Sequence, residues 1–212
     1  MKLFIATILL ILSTTFASAK GTIVLLVDIS SSISIEDMKL QLESYANSMR
    51  SVGALRSKDI VVMTFSEWPK LLTIGDYNDA YEVFMDYAVV EPVHRGSTCL
   101  GRALQEVENI MPTLEQPIVL DISGDGESNC ENSHQVHPIL DRLEQKYDLQ
   151  VNTLYVRSDK INSNSDLDKQ FFAFYKTLVR GGGFTMKAET FMDFELSLFD
   201  KLTIELSWLD NQ

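Results

Sequence analysis

Short, unbroken apolar runs alternate along this chain with stretches in which apolar residues recur every three or four positions, and few folds accept that alternation. The runs at 22–27 and 117–122 are of the kind buried on both faces of a parallel sheet. Ile35, Met38, Leu42, Tyr45, Met49 and Val52 mark one face of a helix, as Leu100, Ala103, Leu104, Val107, Ile110 and Met111 do further on. Residues 59–65 read as the next strand, and 70–74 follow too closely for a crossover helix, so those two should pair antiparallel. A short helix is expected at 78–87. Val136, Ile139, Leu140, Leu143 and Tyr147 predict another, followed by a strand at 151–156, a helix at 167–178 and a strand at 183–187. A helix over 190–206 closes the chain, although Leu202, Ile204, Leu206 and Trp208 also alternate like a strand. The pattern predicts an α/β fold: a doubly wound, mostly parallel sheet with one antiparallel hairpin strand and helices on both faces.

Residues 1–19 stand apart from this pattern. Lys2 precedes a nearly unbroken apolar run over 3–12, and a stretch of small residues ends in Ala17-Ser18-Ala19, the form of a cleaved signal peptide. The run is about half of what a membrane-spanning helix needs. The expected organisation is a signal peptide at 1–19 and a single domain at 20–212, working in the periplasm or secreted, without stable membrane insertion after cleavage. The charge excludes some partners. Thirty acids face eighteen bases, a formal −12 that becomes −13 once Lys2 is removed with no acid. Such a chain is not built to seek nucleic-acid phosphates or an anionic membrane surface.

Open α/β sheets bind their ligands beyond the carboxyl ends of the strands. The first strand runs into Asp28-Ile29-Ser30-Ser31-Ser32, the strand at 117–122 runs into Ser123-Gly124-Asp125-Gly126, and Gly96-Ser97-Thr98-Cys99 opens a helix able to reach the same rim. Three loops thus bring two carboxylates and several hydroxyls together. Oxygen donors without imidazole or thiolate suit Mg²⁺, Mn²⁺ or Ca²⁺ rather than zinc. In the 28–32 segment alternate residues turn to one point, so Ser30 and Ser32 offer hydroxyls while Asp28 accepts from metal-bound water. Ser and Asp are also ordinary helix caps after strands, which is the competing reading for any one loop taken alone.

On these residues the chain resembles a von Willebrand factor type A domain. In that family a metal-ion-dependent adhesion site is built from D-x-S-x-S, a Thr on a second loop and an Asp on a third. Those positions fall here on Asp28, Ser30 and Ser32, on Thr98, and on Asp125. Residues 41–46, 121–126 and 181–184 are most similar to a secreted bacterial branch of the family whose function is undescribed. The resemblance implies a fold, a metal site and, as the default activity, binding rather than catalysis.

Other motifs carry less. Asp121-x-Ser123-x-Asp125-Gly126 opens like a calcium-binding EF-hand loop, but its twelfth position is Asn132 and its flank reads as strand. A phosphoaspartyl hydrolase usually has a second Asp where Ser30 stands. His134 and His137 lie three apart without an evident third metal ligand, and with His94 they are the only histidines. Gly181-Gly182-Gly183 precedes a strand and reads as a turn needing positive φ. Trp68, beside the hairpin turn, reads as core or hairpin packing. Cys99 follows Thr98 and Cys130 lies five residues after Asp125, so both sit on the same rim. A disulfide between them is expected, against the alternative of two buried thiols. Three function classes follow: a binding module in which the cation captures an acidic side chain of a partner protein, a metal-dependent hydrolase, and a scaffold that the metal stabilises.

Overall fold

The structure is a computed structural model describing residues 21–89 and 96–212. The segment read as a signal peptide, together with Lys20 and His94, lies outside the described residues. Within them the strands are β1 (Thr22–Asp28), β2 (Asp59–Phe65), β3 (Lys70–Gly75), β4 (Ile118–Gly124), β5 (Leu149–Val156) and β6 (Thr185–Ala188). The helices are α1 (Ile35–Ser51), α2 (Tyr77–Val89), α3 (Leu100–Ile110), α4 (Val136–Lys146), α5 (Asp166–Leu178) and α6 (Phe194–Leu209). Short 3₁₀ turns lie at Gly53–Ser57, Met111–Thr113 and Glu131–Gln135.

The sheet order is β3-β2-β1-β4-β5-β6. All neighbours run parallel except β2 and β3, the hairpin expected from the short connection. β1 and β4 are central and buried along their whole length, as their unbroken apolar runs require. Alternate residues of these strands feed two separate apolar cores. Ile23, Leu25 and Val27 pack with Leu42, Tyr45, Phe84, Phe194 and Leu202 on the side covered by α1, α2 and α6. Val24 and Leu26 pack with Leu104, Val107, Ile139, Leu143 and Tyr175 on the side covered by α3, α4 and α5. The chain turns away in opposite directions after β1 and β4, and that divergence opens the sheet's carboxyl edge between them.

The closing helix expected over 190–206 is present, while two local readings are corrected: the place of Trp68 and the start of that helix. The alternation at 202–208 belongs to α6. Leu202 and Leu206 are buried while Ile204 is exposed, the outcome of a helix whose apolar face is wider than one stripe. Trp68 is not core: it is 67% exposed, and the Arg102 guanidinium lies 4.2 Å from its ring centroid. A large ring at a hairpin tip is covered here by a cation from α3 rather than by the interior. The closing helix begins at Phe194 rather than at 190. The preceding turn is held by Thr190, whose hydroxyl donates to Asp193 Oδ2 over 2.8 Å.

Candidate metal centre at the sheet's carboxyl edge

β1 delivers Asp28 as its last residue, and the chain must then turn sharply to enter α1. Asp28 Oδ1 makes that turn by accepting from Ser30 N at 2.8 Å, and Ser34 caps the helix by accepting from Asp37 N at 3.1 Å. Ile29 N donates to Phe65 O and Ser31 N donates to Gly96 O, so the loop is tied to the end of β2 and to the loop before α3. The backbone is fixed before any ligand arrives.

The five residues singled out by sequence come together. Thr98 Oγ1 donates to Ser30 Oγ over 3.0 Å, Ser30 Oγ and Ser32 Oγ stand 2.9 Å apart, and Ser32 Oγ donates to Asp125 Oδ1 over 2.6 Å. The chain of oxygens thus runs from Thr98 through Ser30 and Ser32 to Asp125. Asp28, Ser30, Thr98 and Asp125 are buried, whereas Ser32 is exposed at the mouth. Burial pushes the Asp125 carboxyl up to about 6, against the opposing pull of the Ser32 hydrogen bond and of Lys160. Its second oxygen, Oδ2, is buried with no hydrogen-bond partner among the described residues. A buried carboxylate oxygen left bare is costly unless something cationic meets it. The donors are all hard oxygens and the residues present therefore fit a hard divalent cation.

The same edge opens into a cleft of about 330 Å³ whose walls include Ser32, Thr98, Asp125, Glu127, Lys160 and Phe171. Lys160 escaped the sequence reading. It lies in the loop after β5, and its Nζ donates to Ser32 O over 2.9 Å. The rule that directed attention to the ends of β1 and β4 applies equally to β5, so that was the available signal. Tyr175 was missed too. From α5 it packs beneath the site, where burial and the nearby Asp28 and Asp125 carboxylates hold its phenol well above the usual range. Its place in the sequence carries no sign of this.

Cys99 and Cys130 form the expected disulfide, with Cα atoms 5.4 Å apart across a sequence separation of 31. It joins the Thr98 loop to the segment after Asp125, which already exchange two hydrogen bonds: Thr98 N to Asn129 Oδ1 and Asn129 N to Thr98 O, each 2.9 Å. His134 and His137 are engaged elsewhere. His134 Nδ1 is 2.9 Å from Glu131 O, and His137 faces Thr177 and Arg180. Neither lines the cleft. Among the described residues no group of three or more His, Cys, Asp or Glu side chains is placed to hold a metal, so any cation here depends on hydroxyls as well as carboxylates. Gly181 and Gly182 have φ of 60° and 73°, the turn their run implied.

Comparison with known proteins locates this arrangement. A family model described as "Protein of unknown function (DUF1194)" matches residues 19–209. No curated protein matches the chain. Among solved structures, proximal thread matrix protein 1 from the mussel byssus, with zinc occupying its metal-ion-dependent adhesion site, is similar at 17% identity and TM-score 0.64, over 90% of this chain and 48% of that one. A von Willebrand factor type A protein from Catenulispora acidiphila is similar at 13% identity and TM-score 0.65, over 89% and 43%. BatB from Bacteroides thetaiotaomicron gives 16% and 0.58, over 89% and 98%. The chain spans about half the length of the first two. These likenesses establish the fold, that of a von Willebrand factor type A domain.

Proposed function

Since the chain belongs to the DUF1194 family and has the von Willebrand factor type A fold, we propose that it is an exported binding module that takes a divalent cation at the edge between β1 and β4 and uses it to hold an acidic side chain of a partner protein. Ser30, Ser32 and Thr98 would supply hydroxyl oxygens to Mg²⁺, or to Mn²⁺ or Ca²⁺, and Asp28 and Asp125 the balancing charge. When bound, the cation supplies a Lewis-acidic centre whose charge few anionic protein ligands neutralise, and to which an outside carboxylate is attracted. The observation that carries this reading is the bare, buried Oδ2 of Asp125 at the end of a continuous chain of hydroxyls.

The protein's own groups prepare the capture. Lys160, exposed at the mouth, adds positive charge where an acidic side chain would enter, against an overall charge that repels it. Phe171 lends the cleft an apolar wall. Neither His134 nor His137 stands there as a general base, which favours binding over hydrolysis. Export is supported by the disulfide and by the leader-like residues 1–19, with 20–212 as the domain. No described helix is long and apolar enough to cross a membrane.

The test is affinity capture of partners from envelope and culture fractions. Binding should be lost with EDTA and restored by Mg²⁺ or Mn²⁺. It should fail for Thr98→Ala and persist for His134→Ala. A partner held equally with EDTA and by Thr98→Ala overturns the proposal.

A further inference from the structure

Away from the cleft, β4 points a second acid the other way, into the core. Asp121, the residue that opens the calcium-loop mimic, lies on the sheet face covered by α1 and α6. Lys201 Nζ of α6 is 2.7 Å from Asp121 Oδ2 and 2.6 Å from Glu205 Oε1. All three side chains are 0% exposed. Lys201 and Glu205 are one helical turn apart on a face otherwise made of Leu198, Leu202, Leu206 and Leu209, and the buried Asn152 and Tyr45 side chains face the cluster from β5 and α1.

As an ion cluster this arrangement is poorly balanced. Two acids share one base, and Asp121 Oδ1 is buried with no hydrogen-bond partner among the described residues. Each buried ion carries a desolvation cost, and a half-satisfied buried network is worse than an apolar one. Burial raises the Asp121 carboxyl despite the opposing Lys201 charge. It pushes Glu205 to about 7, against the pull of Lys201 and helped by Asp121. Burial therefore favours the protonated acid, the form whose carbon an amine can attack, and the 2.7 Å contact between Lys201 Nζ and Asp121 Oδ2 gives a proton a direct path from one to the other. The amine stands against the carboxyl it would attack, with the carbon one bond behind Oδ2, and the fold has already met the cost of bringing them together.

We propose that Lys201 and Asp121 condense in the folded protein to an intramolecular amide, with Glu205 carrying the proton. Lys201 Nζ first passes a proton to Asp121 Oδ2 across their contact; the lone pair this frees attacks Cγ, and the C–N bond forms. The Glu205 carboxylate takes a proton from the nitrogen and returns it to the departing hydroxyl. The Cγ–O bond breaks and one water leaves. Nothing is oxidised or reduced, and no co-reactant is needed. The product removes one cation and one anion from the core and ties the central strand, just before the Asp125 loop, to the last helix.

Tryptic mapping of the reduced and alkylated protein decides it. Residues 103–142 carry Asp121, and 188–201 and 202–212 flank Lys201. The expected product is one branched species joining 103–142 to 188–212, uncut after Lys201 and lighter by one water than its parts. Lys201→Arg should abolish it, and Glu205→Gln should slow its formation by roughly a hundredfold or more. Release of 188–201 and 202–212 as ordinary peptides from wild type overturns the bond, as does water loss without a branched peptide. The wild-type map decides this even where a variant fails to fold. A Glu205→Gln protein linked as fast as wild type overturns the role of Glu205.

Discussion

Thr98 Oγ1 donates to Ser30 Oγ over 3.0 Å, joining two loops 68 residues apart in the chain. The contact makes the hydroxyl of Thr98 the natural probe of the site. Asp28 is a poorer one, because its carboxylate also holds the loop backbone through Ser30 N. Thr98→Val keeps the shape and removes the oxygen. It should weaken Mg²⁺ and Mn²⁺ binding by roughly tenfold or more, with little change in melting temperature. Ser32→Ala, at an exposed position, should do the same. Calorimetric affinities equal to wild type in both variants would remove the metal assignment.

The disulfide sits directly behind that hydroxyl. Replacing Cys99 and Cys130 by Ser opens a link across a separation of 31, which in the chain-entropy model costs about 3–4 kcal/mol. For a domain of this size the melting temperature should fall on the order of 10 °C. Metal affinity should fall as well, because Thr98 and Asn129 then rely on two hydrogen bonds alone to stay in register. A double variant that melts with wild type would show that the backbone already holds the two loops.

Much of this site was legible because it obeys local rules. An unbroken apolar strand ending in Asp28 can only deliver that residue to the sheet edge, and Asp125 follows β4 by the same logic. The loop at 96–99 was found because it opens a helix beside them, and the family resemblance singled out Thr98 within it. Lys160 was not, since an exposed lysine in a loop looks like any solvated charge until the loop is folded back onto Ser32. The Asp121–Lys201–Glu205 cluster was illegible for a different reason. Asp121 and Lys201 are 80 residues apart, and a lysine among leucines on α6 gives no sign of the acid on β4 that it meets. Trp68 was misread because apolar size predicts burial only when an interior lies within reach.

Acid sensitivity should come partly from Asp168. Burial works to raise its carboxyl, but hydrogen bonds from Lys187 Nζ at 2.9 Å, Asn164 N at 2.9 Å and Tyr155 OH at 3.1 Å hold it below the ordinary range. A depressed folded value means that the stability it contributes is present above the unfolded value and lost as pH falls through the folded one. The loss belongs below about pH 4. Asp168→Asn should be less stable than wild type at neutral pH and should flatten the acid limb of the stability curve. Denaturant midpoints across that range check it. An acid limb equally steep in the variant would assign the sensitivity to other carboxylates.

Gly124 separates a role at the site from a role in the chain. It ends β4, and a Cβ built there would lie 2.7 Å from both Cβ and Oδ2 of Asp28 and nearer still to the Tyr175 hydroxyl. Asp28 and Tyr175 can approach the strand end only because no side chain stands between them. Gly124→Ala must move one of them, at a cost of about 1–3 kcal/mol for overpacking. If Asp28 moves, the turn into Ser30 and Ser32 moves with it. Gly182 is the control. Nothing lies within 4 Å of its Cβ position, but its φ of +73° makes any side chain strained, so Gly182→Ala should cost about 1–2 kcal/mol. Both variants should therefore melt lower than wild type, while only Gly124→Ala should lose cation affinity. Calorimetry with Mn²⁺ on the two proteins, below their melting temperatures, reads the difference. Equal affinities in Gly124→Ala and Gly182→Ala would mean that the position of Asp28 does not set the site.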